Sequence, residues 1–370
     1  MTVRDESIMA DVKAETEASL LPNPELSPAE VRLPTTSPAR LEQSPAEGPG
    51  PATEPDTVLY LAFGSNLCAE TFQGRRKVRP LSSVNVTAPS LRLTFSIPGL
   101  PYTEPCFANT APRKIPKEPI PDPRKPLLPP PVGDPEGDEP RWEKGLVGVV
   151  YEVTKEDYNR IIATEGGGSS YKEIFVPCLV IPPRMNVPEN PSDGVPRPFI
   201  ARTLCMPYIP KYGSGEEDSL GEEGEGGKKG WWWWLSRRAQ RPSEDYAQPS
   251  ERYLNLLRTG AAEHELPDEY QTYLAELQSY SATSLRQKVG KTLMIGLWGP
   301  PLIGVMMMGQ LFADGDGRMP AWMMVVSSMI FRGMWGTYDM LFKRVFGEGE
   351  RRVEKGERLK AGKGEIRLEG

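Results

Sequence analysis

The spacing of apolar and polar positions along the 370-residue chain changes several times, and each change marks an element. Residues 1–56 hold no Phe, Trp or Tyr and repeat proline through their second half. Without aromatic anchors such a stretch buries too little area to offset its ordering entropy, so 1–56 is expected to be disordered. Order begins at Thr57. Val58 to Phe63 is a short apolar run closed by Gly64, the signature of a buried strand. Gly64 leaves the following turn free to take a positive φ if it needs one. Ser65 and Asn66 are good N-cap residues, which predicts a helix from about Leu67. Leu91, Leu93, Phe95 and Ile97 alternate with polar residues, as a half-buried strand does. Gly145 to Val153 reads as another strand, after which Thr154 caps a helix to about Thr164. Ile174 to Ile181 and Phe199 to Met206 are further strands.

Two inserts interrupt this series. Residues 112–140 contain eleven prolines and read as a loop. Residues 211–245 begin Gly- and Glu-rich, a flexible linker to about 230, and then carry Trp231 to Trp234 beside arginines. That tryptophan run suits a membrane interface or a cluster covering the domain's own apolar surface. Helical spacing takes over later. Pro249-Ser250 opens a helix with Tyr253, Leu254 and Leu257 on one face, ending at Gly260. Pro267 opens another with Tyr270, Tyr273, Leu274 and Leu277. Strands first, with helices interspersed and late, predict an α+β fold with a mostly antiparallel sheet or barrel over 57–283.

The last third is apolar. Thr292 to Ala313 has 22 residues without a charge. As a helix it extends about 33 Å, against a hydrocarbon core of about 30 Å. Pro300 and Pro301 fall in its middle. A second run, Pro320 to Phe331, is too short to span alone, and extending it to Phe342 takes in Arg332 and Asp339. Each costs roughly 2.5–3.5 kcal/mol at mid-membrane, although a spacing of two helical turns lets them share one face. Arg286, Lys288 and Lys291 precede the pair and Lys343 and Arg344 follow it. The positive-inside rule then puts both ends in the cytoplasm. The expectation is a hydrophobic helical hairpin over 287–345 that associates with a membrane, a charged tail over 346–370, and an intracellular protein whose catalytic part faces the cytosol. The alternative is two helices buried against the soluble part. Ten of the 14 methionines lie between Met294 and Met340, a composition that also suits an adaptable partner surface.

Composition narrows the chemistry. The net charge is −6, and no stretch is basic enough for a nucleic-acid footprint. Cys68, Cys106, Cys178 and Cys205 form no CxxC pair, which argues against a disulfide framework or a zinc site and for a reduced compartment. The chain has one histidine, His264, whereas HExxH sites need two. Its neighbours Glu263 and Glu265 predict a solvated side chain. Acid/base work therefore falls to carboxylates, and neither metal nor cofactor is expected.

Three segments carry the candidate chemistry. Tyr60-Leu61-Ala62-Phe63-Gly64-Ser65-Asn66-Leu67 runs from a strand into a polar turn, where free N–H groups can hold an anion. Glu165-Gly166-Gly167-Gly168 sets a carboxylate where backbone can approach a ligand closely, shortly before Tyr171. Pro249–Tyr270 supplies the two late helices. In this order, and with Gly148-Val149-Val150-Tyr151 between them, the segments closely resemble the γ-glutamylcyclotransferase family. The family shows a YxAYGSNL opening, a GVVY strand, an E-G…Y element and a P-S-x-x-Y…G-A-x-E…L-P-x-x-Y tail. The resemblance covers about 57–280 apart from the two inserts.

The resemblance implies a γ-glutamylcyclotransferase-like fold around a small mixed β-barrel, to which this chain adds its C-terminal hydrophobic helices. It implies a substrate held by Gly64, Ser65, Asn66 and Leu67, with Glu165 as the acid/base; Tyr60 and Tyr171 are candidate walls or hydrogen-bond donors. The implied reaction cyclises a γ-glutamyl amine or dipeptide, as in glutathione metabolism. It releases 5-oxoproline and the free amine or amino acid. Glu165→Gln should lower turnover on the order of a hundredfold or more, with Glu152 and Glu173 tolerating the same change. Phe63 replaces the usual second tyrosine, Ile162 stands where an Asp is common, and the inserts are atypical, which leaves the substrate open. A second reading is a silent cyclotransferase-like module that recruits partners to a membrane. It is distinguished by whether Glu165 shares a site with the Gly64–Leu67 loop. A third is an enzyme acting on a γ-glutamylamine of secondary metabolism.

Overall fold

The computed structural model describes residues 33–44, 56–113, 142, 144–165, 172–184, 198–206, 247–312, 314 and 319–352. Tyr171, the tryptophan run and nearly all of both inserts lie outside these residues. The elements belong to one compact unit, Pro34–Gly370. In chain order they are α1 (Pro38–Glu42), β1 (Thr57–Ala62), β2 (Ser82–Ala88), β3 (Leu91–Leu100), β4 (Glu104–Pro112), β5 (Leu146–Thr154), α2 (Lys155–Thr164), β6 (Lys172–Val180) and β7 (Phe199–Cys205). Then follow α3 (Glu251–Glu263), α4 (Asp268–Glu276), α5 (Leu285–Phe312), α6 (Ala321–Thr337) and α7 (Lys343–Phe346).

Five strands close into a barrel in the order β1-β5-β2-β6-β7. The join between β7 and β1 is parallel and the other pairings are antiparallel, so the barrel is mixed. β3 and β4 form a separate two-stranded sheet with a register shift between Thr94 and Ile97. Leu61, Val86, Val147, Val149, Val176 and Ala201 are all buried. Each larger aliphatic of this kind contributes on the order of 1.5–3 kcal/mol. α2 lies against β1 and β5 through Tyr158, Ile161 and Ile162. Its predicted cap is present, with Thr154 Oγ1 accepting from the Asp157 N–H at 3.1 Å. Apolar spacing did not announce β2 and β4. Both faces of β2 are covered, so Asn85 and Thr87 sit buried among its valines and no alternation survives.

Part of the stretch expected to be disordered is ordered. Thr35 bridges Ser83, and Ser37 caps α1. Arg40 is then drawn in to donate to Glu152 Oε1 at 3.0 Å and to the Thr57 carbonyl at 2.9 Å. The segment is held by a largely buried ion pair with its hydrogen bonds satisfied, not by the aromatic burial whose absence suggested disorder.

α5 and α6 lie side by side and dock on the β3–β4 turn. Met294, Met334, Trp335, Tyr338 and Phe342 enclose Tyr102. The Tyr102 hydroxyl donates to the Gly347 carbonyl at 2.7 Å, and its N–H reaches the Gly349 carbonyl at 2.8 Å. That docking holds Tyr102 at φ 63°, a conformation unfavourable for an aromatic residue. The rest of the pair is uncovered. Of the 19 exposed large apolar side chains among the described residues, 17 lie between Leu285 and Val345.

Candidate active site

β1 delivers the chain to a turn at Gly64 and a 3-10 helix over Ser65–Leu67, followed by a π-helix over Glu70–Arg75. An α-helix from Leu67 was expected. The turn instead closes on itself, Leu67 N–H donating to Gly64 O at 3.0 Å and Cys68 N–H to Ser65 O at 3.2 Å. Gly64 has φ −108°, so it is not needed for a left-handed turn. It is needed for space: a Cβ there would lie 3.1 Å from the Tyr253 hydroxyl and 3.4 Å from Ala108 Cβ. Leu67 is fully buried and acts as the plug that fixes the loop.

α3 presses on that plug. A Cβ at Gly260 would fall 2.6 Å from the Cys68 nitrogen and closer still to Leu67. The helix was expected to end at Gly260 but continues to Glu263, because the glycine serves close approach and not termination. Glu263 Oε2 then accepts the Ala69 N–H at 2.8 Å. His264 follows, and here too the structure corrects the expectation. Its ring is half-buried, 2.7 Å from the Tyr151 hydroxyl, with the Leu67 carbonyl as a second partner.

Burial pushes the His264 pKa down to about 4, opposed by the bond to Leu67. A histidine held neutral in the fold and free to charge when unfolded makes the unfolded state bind more protons below its ordinary pKa of about 6.5. Stability from His264 is therefore complete above about pH 6.5 and is lost as pH falls toward 4. The upper bound is about 3 kcal/mol. Urea unfolding at pH 7 and pH 4.5 should show this loss in the wild type and a smaller one in His264→Gln. Equal losses would contradict it.

Glu165 sits at the C-cap of α2. Its Oε1 takes two donors, Asn66 Nδ2 at 2.9 Å and Arg76 Nη2 at 2.7 Å. Arg76 is fixed in turn by donating to Thr164 Oγ1 at 2.7 Å. The second Asn66 amide hydrogen goes to the Tyr60 hydroxyl at 2.8 Å. Oε2 of Glu165 takes no hydrogen bond from the described residues. Tyr60 is buried, stacked on Phe72 and tilted against Tyr158. Burial, and then the Glu165 charge, raise its pKa, so it stays a neutral donor. Tyr253 is raised in the same way, by burial first and with Glu165 contributing. No three His, Cys, Asp or Glu side chains among the described residues converge as a metal site would require.

The structure thus brings Glu165, about a hundred residues further along the chain, up to the segment Tyr60, Gly64, Ser65, Asn66 and Leu67; Tyr171 lies outside the described residues. Sequence reading missed Arg76 and Tyr253. Arg76 belongs to an arginine pair just past the opening motif, a signal that was available. Tyr253 looked like one more apolar position on an amphipathic helix.

The chain thus combines a mixed five-stranded barrel with one carboxylate clamped against the Gly64–Leu67 turn. The model of the AclK C-terminal domain family matches residues 284–345. A γ-glutamyl cyclotransferase of Aspergillus fumigatus, gliK, is 29% identical over 301 residues, 80% of this chain and 90% of that protein. The γ-glutamyl cyclotransferase verK of Clonostachys rogersoniana is 30% identical over 40% of this chain and 74% of its own. A solved γ-glutamyl cyclotransferase overlays 64% of this chain and 99% of its own at 17% identity, with a TM-score of 0.36. On the sequence likeness, this chain belongs to the γ-glutamyl cyclotransferase family.

Proposed function

We propose that the chain cyclises a γ-glutamyl amine or dipeptide to 5-oxoproline and releases the amine or amino acid. The observation that carries this reading is the bond from Asn66 to Glu165: the proposed base shares one site with the loop at Gly64–Leu67. A silent binding module has no need of a carboxylate clamped on one oxygen and open on the other. The substrate's α-amine attacks its own γ-carbonyl, forming one C–N bond and later breaking the other. The attacking nitrogen gives up two protons in all. Glu165 Oε2 takes the first from the ammonium and hands it to the leaving nitrogen. The second, lost as the ring forms, follows to leave the released amine as an ammonium, so no water, metal or covalent enzyme intermediate enters the balance. Arg76 and Asn66 hold the carboxylate plane through Oε1, and the loop holds the substrate folded, which lowers the entropic cost of closure. The assay is mass spectrometry for 5-oxoproline across γ-glutamyl dipeptides, glutathione and γ-glutamyl-lysine. Release of glutamate in its place would refute cyclisation.

The α5–α6 pair supports a membrane-associated enzyme. The segment Leu285–Gly309 is long and apolar enough to cross a bilayer, with mean hydropathy 1.4 and 17% of its most apolar window buried. Contiguous exposed apolar surface of this extent is rare on soluble monomers. Arg286, Lys288 and Lys291 lie at the start of α5 and Arg344 on α7 after α6, and each basic residue near an anionic surface contributes about 1 kcal/mol. A vesicle flotation assay with phosphatidylserine-containing liposomes checks this. The full chain should float, and the triple change Leu293→Glu, Met307→Glu and Leu311→Glu should abolish flotation without lowering the melting temperature, because all three side chains are exposed. A full chain that stays at the bottom of the gradient contradicts membrane association.

A further inference from the structure

The turn at Gly64–Leu67 was expected to supply the oxyanion donors from its backbone. One of its N–H groups is engaged within the turn, Leu67 bonding to Gly64 O, and the turn packs against the Tyr253 hydroxyl oxygen, which a Cβ at Gly64 would approach to 3.1 Å. The same oxygen receives the Ala108 N–H at 3.1 Å. With this backbone donor on its oxygen, Tyr253 has its own proton left to give, and among the described residues no hydrogen bond takes it. The ring is held for this purpose. Phe107 packs edge-on against it at 5.1 Å between centroids, and Ser250 caps the first turn of α3 beneath it. Gly64 is without a side chain where the hydroxyl approaches, and the hydroxyl lies close enough to Glu165 and Tyr60 to feel both.

We propose that Tyr253 is a catalytic residue whose O–H donates a hydrogen bond to the γ-carbonyl oxygen as it becomes an oxyanion during ring closure. The Ala108 N–H on the phenolic oxygen polarises its O–H bond, so this donor is stronger than a lone tyrosine. It matters most when negative charge has developed on the substrate oxygen, which places its effect on the chemical step more than on binding. The proton stays on Tyr253 throughout; only Glu165 carries protons between the amines.

The inference rests on the cyclotransferase reading, and the test separates the two. With γ-glutamyl-alanine as the probe, Tyr253→Phe should lower kcat about a hundredfold to a thousandfold, the usual loss for one oxyanion donor, with KM changed severalfold at most. Because the phenylalanine also leaves the Ala108 N–H without an acceptor, a second variant keeps the shape: 3,5-difluorotyrosine at 253. It should melt near the wild type and move the alkaline limb of the pH–kcat profile to lower pH. If the wild type forms 5-oxoproline and both variants keep its kcat and profile, Tyr253 is structural and the proposal is overturned. If the wild type forms no 5-oxoproline from any donor in the panel, the cyclotransferase reading itself fails.

Discussion

Glu165→Gln is expected to lower cyclisation at least about a hundredfold while leaving the fold intact. General acid–base catalysis supplies roughly 10²–10⁴-fold, and glutamine keeps the shape of the side chain without the base. The amide oxygen can still accept from Asn66 and Arg76. The clamp therefore survives, and the melting temperature should move by only a few degrees. The control must be chosen with care. Glu152 and Glu173 are unsuitable, although their place in the sequence recommended them. Glu152 binds Arg40, Thr57 and Ser82, and Glu173 accepts from the Tyr158 hydroxyl at 2.7 Å. Glu156, whose side chain is 85% exposed on α2, is the better control, and Glu156→Gln should retain wild-type turnover. Wild-type turnover by Glu165→Gln would remove this carboxylate from the mechanism.

Gly260→Ala is expected to have the second largest effect, and on both stability and activity. In an open helix the change would stabilise by up to about 1 kcal/mol. Here the added methyl meets backbone of the Leu67–Cys68 segment well inside van der Waals contact, and backbone cannot rotate aside as a side chain can. Overpacking of this kind costs on the order of 1–3 kcal/mol. The displaced atoms belong to the loop that carries Asn66, so the strain also reaches the bond to Glu165. Thermal melting together with kcat should show a loss in both. A stabilised variant with unchanged kcat would mean that the loop yields without moving Asn66.

Much of the barrel was legible because strands β1, β5, β6 and β7 have apolar runs bounded by turn residues, and β3 of the separate sheet was legible by its alternation. β2 was not, since a strand covered on both faces loses its period. Glu165 and the Gly64–Leu67 loop were found by motif and are placed within one hydrogen bond of each other. Tyr253 and His264 escaped for a common reason: their local neighbours say nothing of their partners, whereas Arg76 had a local signal in the arginine pair that follows the opening motif. His264 lies between two glutamates, yet its environment is set by Tyr151 and Leu67, more than a hundred residues away in sequence. The reason for Gly64 was likewise hidden, because the atom that excludes a side chain there comes from Tyr253.

The central claim is ring closure by the substrate's own amine, and product analysis tests it most directly. Wild-type chain incubated with the γ-glutamyl panel should yield 5-oxoproline and free amine in equal amounts from at least one donor, with no glutamate above background and no dependence on added metal. Glutamate as the product would mean that water, not the α-amine, attacks the γ-carbonyl. Absence of any product across the panel would equally contradict the account.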